Sequence, residues 1–206
     1  MAGKTASENA RENVQFSVSP AGEKFPLPVR SKYAAEFKRI EKLAKKARKE
    51  GKEIVVVMGV GFVGAVMAAI VADTTDEKGT PSKFVIGCQR PSTRSYWKIP
   101  LLNRGLSPVK AEDPEVDRII SRCVLDKKTL TATYNSECLS LADCVVVDVQ
   151  CDYSKNSLGN MRTGETDMAA LEATMRTIGE KIPPSCMVLI ETTVAPGTTE
   201  FVAWPI

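Results

Sequence analysis

The sequence predicts an α/β fold with a doubly wound, mostly parallel sheet, preceded by an N-terminal extension and a basic amphipathic helix. Three observations carry this. An apolar run, Ile54-Val55-Val56-Val57-Met58, enters a turn holding Gly59, Gly61 and Gly64, then continues through residues 65–71 without a breaker. Four more apolar runs follow, over residues 83–89, 130–133, 144–149 and 187–191. Helical patterns lie between several of them. Apolar runs of this length, bounded by turn residues, suit strands covered on both faces. Their alternation with helices gives right-handed crossovers and a parallel sheet.

The first strand and its turn fix the kind of sheet. Gly59-Val60-Gly61-Phe62-Val63-Gly64 has the spacing G-x-G-x-x-G between a strand and a helix. In a Rossmann-like fold the first glycine allows the tight turn and the second lets a pyrophosphate approach the backbone. The third lets the helix pack on the strand. The helix N-terminus adds free N–H groups and a positive dipole end. The motif in this context implies dinucleotide binding.

Residues 1–30 are polar, carry Pro20, Pro26 and Pro28, and show no periodicity, so they are expected to form a flexible arm. Residues 31–52 hold the basic helix, with Ser31 as a cap and Gly51 as a stop. Tyr33, Phe37, Ile40, Ala44 and Ala47 share one face, and lysines decorate the rest. That face suits packing on the chain's own domain or on a partner subunit; a nucleic-acid or membrane surface is the sharper alternative. Residues 53–206 form the dinucleotide-binding domain. After the second strand, Gln89 stands where an NAD site commonly places an acid, followed by Arg90 and Arg94. Gln89 holding the ribose of NAD, and the arginines holding a 2′-phosphate of NADP, both remain open.

Further along, a short helix is expected from Glu112-Asp113-Pro114-Glu115 to Cys123, and another from Glu165 to Gly179. The fourth strand ends in Gln150-Cys151-Asp152-Tyr153 at the carboxyl edge, where such folds bind ligands. Residues 154–164 read as a mobile surface loop. Thr192 and Thr193, just past the fifth strand, read on their own as a turn with hydroxyl caps.

Composition excludes several chemistries. The chain of 206 residues has no histidine, so no His-based acid/base pair can be built. No Tyr-x-x-x-Lys occurs. The 6 cysteines are scattered without a C-x-x-C pair, so no zinc site or other metal site is expected. Residues 1–52 hold 13 Lys and Arg against 6 Asp and Glu, and the remainder holds 15 against 19. A basic appendage thus precedes a mildly acidic domain, which argues against nucleic acid as the partner. No apolar run reaches membrane-span length and no signal-peptide core is present, so a cytoplasmic protein without a membrane partner is expected.

Three segments in this order resemble the UDP-glucose/GDP-mannose dehydrogenase family, the nucleotide-sugar 6-dehydrogenases. They are the glycine motif, residues 142–150 (Ala142-Asp143-Cys144-Val145-Val146-Val147-Asp148-Val149-Gln150), and Glu191-Thr192-Thr193-Val194-Ala195-Pro196-Gly197-Thr198-Thr199. Asn103-Arg104-Gly105-Leu106-Ser107-Pro108 also looks like the family's Asn-x-Gly-x-Ser-Pro turn. The resemblance implies the family's N-terminal NAD-binding domain. It implies an oxidoreductase of polysaccharide biosynthesis that takes a UDP- or GDP-sugar C6 alcohol to the uronate through a cysteine-bound intermediate.

By that resemblance Gly59, Gly61, Phe62, Val63 and Gly64 cradle the pyrophosphate. Gln89 matches the ribose-binding acid, Arg94 a nearby basic residue beside Arg90, and Cys151 a cofactor-contacting Thr; Val149 lines the same site. Thr193 matches a Thr near the nicotinamide and a catalytic water. The family continues beyond the point matched by Trp204-Pro205-Ile206, and no cysteine here sits in its Gly-x-Cys-x-Pro context. The expectation is a chain that binds a dinucleotide but oxidises no sugar alone, and that belongs to a homo-oligomer when complete. The alternatives are a non-catalytic dinucleotide-binding or assembly module, or the first domain of another β-hydroxyacid-type dehydrogenase.

Overall fold

The computed structural model describes residues 14–154 and 164–206. It begins with a hairpin, β1 (Phe16–Val18) antiparallel to β2 (Lys24–Pro26). This corrects the expectation of a flexible arm for residues 14–30; residues 1–13 lie outside the described residues. The hairpin escapes a pattern search because its alternation is inverted. Ser17 is buried, while Phe16 and Val18 are about half exposed.

A turn at Arg30–Lys32 leads into α1 (Tyr33–Lys49). Lys32, not Ser31, precedes the helix, and no side chain caps it. The buried face is the one the periodicity marks: Ile40, Ala44 and Ala47. At its C-terminus Gly51 takes φ 78°, and the Gly51 and Lys52 N–H groups donate to the Arg48 and Ala47 carbonyls. That αL stop favours glycine. Arg48 reaches the Leu141 carbonyl and the Asp143 carboxylate, and the other Asp143 oxygen accepts from the Ile54 N–H. One acid thus ties the helix to the start of the sheet.

Next come β3 (Glu53–Met58), α2 (Phe62–Asp73), β4 (Lys83–Cys88) and α3 (Lys98–Asn103). Then follow α4 (Glu115–Ser121), β5 (Leu130–Thr133) and β6 (Cys144–Val147). The helix α3 has no counterpart in the sequence reading. Pro100 suggests a break, but it lies in the first turn, where a missing N–H leaves no intrahelical bond unmade. The chain closes with a small ribbon, β7 (Asp152–Ser154) antiparallel to β8 (Glu165–Asp167), then α5 (Ala169–Gly179), β9 (Met187–Ile190) and a helical turn at Thr199–Ala203. The helix expected from Glu165 therefore starts four residues later, after a strand. Most of the surface loop expected over 154–164, residues 155–163, lies outside the described residues.

The five expected strands form one parallel sheet in the order β5-β4-β3-β6-β9. Successive residues of β3, β4, β5 and β6 feed opposite layers, whereas β9 packs Val188 and Ile190 on one layer and leaves Met187 and Leu189 exposed. Ile54, Val56, Ile86, Val145 and Val147 pack with Ile40, Ala44, Leu171 and Ile178 of α1 and α5. Val55, Val57, Val85, Ala132 and Val146 pack with Ala68, Ala69, Leu102 and Ile120 of α2, α3 and α4. Burial on both faces explains why β3, β4 and β6 read as continuous apolar runs. The strand order reverses between β3 and β6, and that switch point opens a crevice at the carboxyl ends of the strands.

Candidate functional site

The turn between β3 and α2 borders this crevice, and its three glycines meet different surroundings. Gly59 has φ 101°, and a Cβ there would stand 2.1 Å from the Asp148 carbonyl oxygen. A Cβ at Gly64 would stand 2.0 Å from the Gly59 carbonyl oxygen and 2.6 Å from Asp148 Oδ2. Both positions therefore close the turn against itself and against the end of β6. At Gly61 an added Cβ would meet nothing within 4 Å, and φ is an ordinary −78°. The chain needs no glycine there for its own packing.

Gly61 precedes α2 and offers no capping side chain. The first N–H groups of a helix have no intrahelical acceptor. The Asp148 carboxylate lies against Gly64, whereas Phe62 and Val63 are 65% and 49% exposed. Two apolar side chains thus face solvent beside a positive helix end.

Gln89 follows β4 and is half-buried. Its Oε1 accepts from the Val60 N–H at 3.0 Å, and its Nε2 lies 3.5 Å from Ser95 Oγ. The side chain therefore braces the glycine turn and carries no charge. Arg90 and Arg94 are exposed, and neither guanidinium forms an ion pair among the described residues. The Trp97 indole N–H donates to the Arg94 carbonyl at 3.0 Å.

On the other side of the crevice, Thr192 is buried and its hydroxyl ties two strand ends together. It accepts from the Val149 N–H at 3.0 Å and lies 2.9 Å from the Val149 carbonyl oxygen and 3.2 Å from that of Val147. This is the hydroxyl-cap role the turn suggests by itself. Thr193, one residue on, is exposed. Cys151 is half-buried, with its thiol 3.7 Å from the Asp167 carbonyl of β8.

Two acids escaped the sequence reading. Asp148 follows β6 and Glu191 follows β9, in strands whose last paired residues, Val147 and Ile190, are in register. Burial pushes the Asp148 carboxyl up, and the Gly64 N–H only partly offsets this. Burial also raises Glu191, with the charge of Asp148 adding to it. The Glu191 Oε2 is buried without a hydrogen-bond partner among the described residues. The available signal was an acid closing an otherwise apolar strand run, twice.

None of four thiols is activated. Burial lifts Cys123 to about 11 and raises Cys144 and Cys186. The adjacent Cys88 thiol, then burial, holds Cys138 well above the ordinary thiol value. A nucleophilic cysteine needs the opposite shift.

Residues 53–206 match the model of the UDP-glucose/GDP-mannose dehydrogenase family, NAD binding domain. No curated protein matches the chain. Among solved structures, the NDP-N-acetyl-D-galactosaminuronic acid dehydrogenase from Methanosarcina mazei Go1 shares 32% identity, with a TM-score of 0.63, over 80% of this chain and 32% of that one. GDP-mannose dehydrogenase from Pseudomonas aeruginosa, solved as a ternary complex, shares 27% identity, with a TM-score of 0.58, over 73% and 31%. UDP-D-ManNAc dehydrogenase from Pyrococcus horikoshii shares 27% identity, with a TM-score of 0.57, over 74% and 31%. The chain therefore spans about a third of the length of these solved relatives. Residues 1–52 lie outside the family match.

Proposed function

This chain belongs to the UDP-glucose/GDP-mannose dehydrogenase family through its NAD binding domain, and on that footing we propose that it supplies the cofactor-holding part of a nucleotide-sugar 6-dehydrogenase. The reaction proposed is oxidation of a UDP- or GDP-sugar C6 alcohol to the uronate, with homo-oligomerisation of the complete enzyme. The observation that carries the reading is Gly61, where open space on the turn coincides with the uncapped start of α2 at the switch point.

The residues present fit a dinucleotide. The backbone N–H groups of Gly61, Phe62 and Val63 would hold the pyrophosphate, as helix N-termini hold anions. Gln89 would meet the adenosine ribose through its Nε2, since its Oε1 is engaged by Val60. Val149 and Cys151 would line the middle of the crevice, with Thr193 on the nicotinamide side. Bound NAD⁺ would supply the hydride acceptor. Asp148 buttresses the glycine turn by packing its carbonyl against Gly59 and its carboxylate against Gly64. The raised thiols give this chain no activated nucleophile among those four cysteines. The chain alone is therefore expected to bind cofactor and to leave UDP- and GDP-sugars unoxidised.

Calorimetric titration with NAD⁺ and, separately, NADP⁺ tests this. NAD⁺ is expected to bind the tighter of the two. Gln89 lacks the charge that repels a 2′-phosphate, so the preference should fall short of what a carboxylate gives. Tighter NADP⁺ binding that is lost in Arg90→Ala or Arg94→Ala would contradict the NAD assignment. Binding of neither would overturn the proposal.

A further inference from the structure

We infer that the N-terminal hairpin is a positioning element of the cofactor site, acting on the turn that follows β4. The hairpin lies outside the residues that match the family model. It nevertheless grips the 97–104 segment at both ends. Ser17 of β1 is fully buried, and its hydroxyl accepts from the Trp97 N–H at 3.1 Å. Glu23 accepts from Arg104 Nη2 at 3.1 and 2.9 Å, and the ring of Phe25 lies 5.6 Å from the same guanidinium. The exposed ion pair contributes little by itself. The Ser17 bond matters more, because losing it strands a buried N–H.

From Trp97 a continuous set of polar contacts runs to the glycine turn. The Trp97 indole N–H donates to the Arg94 carbonyl at 3.0 Å. Within the turn, Ser92 and Ser95 share a hydroxyl contact of 2.8 Å, and Ser95 Oγ lies 3.3 Å from the Arg90 carbonyl. Gln89 Nε2 lies 3.5 Å from the same Ser95 Oγ, and Gln89 Oε1 accepts from Val60 at 3.0 Å. One end of this chain of contacts is the hairpin. The other is the backbone between Gly59 and Gly61. The segment between them carries Gln89, the side chain proposed above to meet the ribose, with Arg90 and Arg94. The inference rests on the cofactor placement proposed above. It adds that residues outside the NAD binding domain set the cofactor affinity of that domain.

The test compares wild type with Ser17→Ala by NAD⁺ calorimetry and amide hydrogen exchange. Met175→Ala, a core truncation in α5, serves as a stability control. Ser17→Ala should speed exchange at Trp97, in residues 92–96 and at Val60, and weaken NAD⁺ about three- to tenfold. Met175→Ala should lower the melting temperature at least as much and leave NAD⁺ affinity unchanged. If Ser17→Ala does not fold, Arg104→Ala, which removes both the Glu23 pair and the Phe25 contact, should still speed exchange across 97–104 and weaken NAD⁺ about twofold, and no change in either would overturn the inference. Unchanged exchange in the turn overturns the inference. So does faster exchange with unchanged affinity, or an equal loss of affinity in Met175→Ala. If wild type binds no NAD⁺, the cofactor reading falls and this inference with it. If wild type binds and Ser17→Ala binds equally well, only the inference falls.

Discussion

Gly59 and Gly64 are held by contact, and Gly61 is not, so the three glycines of one motif should respond differently to a single methyl group. Gly59→Ala puts a Cβ at φ 101° and 2.1 Å from a backbone oxygen. It should destabilise the domain by about 2–4 kcal/mol, read as a shift in the urea midpoint. The motif spacing was legible in the sequence, but the contact partners were not, because Asp148 follows a strand and lies 89 residues beyond Gly59.

Ionisation divides the acids into two groups with opposite signs. Asp73 accepts from Arg122 Nε and Nη2 at 2.9 and 2.7 Å and from Lys127 at 2.7 Å. Arg122 first, and Lys127 with it, hold its carboxyl far below the ordinary 3.8. A depressed folded value gives stability that is present above the ordinary value and lost as pH falls through and below it. Asp73→Asn should therefore flatten the loss of stability between pH 5 and pH 3 in urea titrations. Glu191 is raised by burial, so its contribution is present below the ordinary 4.5 and lost as pH rises through its folded value. Glu191→Gln should accordingly raise the melting temperature at pH 7 and change it little at pH 4. A raised melting temperature at pH 4 equal to that at pH 7 would contradict this.

At the scale of elements, β3, β4 and β6 were legible because both faces of each are packed, whereas β9 reads as an apolar run although Met187 and Leu189 lie exposed on one of its faces. The three-residue strands β7 and β8 were not, since Asp152-Tyr153-Ser154 and Glu165-Thr166-Asp167 carry no apolar alternation. The edge strand β5 shows what a sequence pattern omits. Asn103 Oδ1 accepts from the Ala132 N–H at 2.7 Å, and its Nδ2 donates to the Ala132 carbonyl at 3.0 Å. Arg39 adds a second donor to that carbonyl at 2.9 Å. Side chains from α3 and α1 thus occupy the open edge. Asn103→Ala should cost about 1–3 kcal/mol in urea denaturation. It should also promote self-association by edge pairing, seen by sedimentation. Thr192→Val loosens the β6 and β9 ends and should cost about 1–2 kcal/mol. The exposed Thr193→Ala should leave stability unchanged.

Across the whole molecule, the charge asymmetry of the sequence resolves into a basic helix whose apolar face lies on the sheet's own core. Among the described residues, no helix is long and apolar enough to cross a membrane. The fold class, the sheet and the glycine turn followed from local pattern. The links between distant parts did not: Ser17 with Trp97, Gln89 with Val60 and Arg48 with Asp143 each depend on tertiary placement. The claim on which all else rests is that this turn holds NAD⁺. The most direct measurement is a calorimetric titration of NAD⁺ into wild type and Gly61→Val, with thermal melts of both. Open space at Gly61 predicts equal melting temperatures and binding weakened at least about tenfold in the variant. Equal affinity in the two proteins would contradict the account.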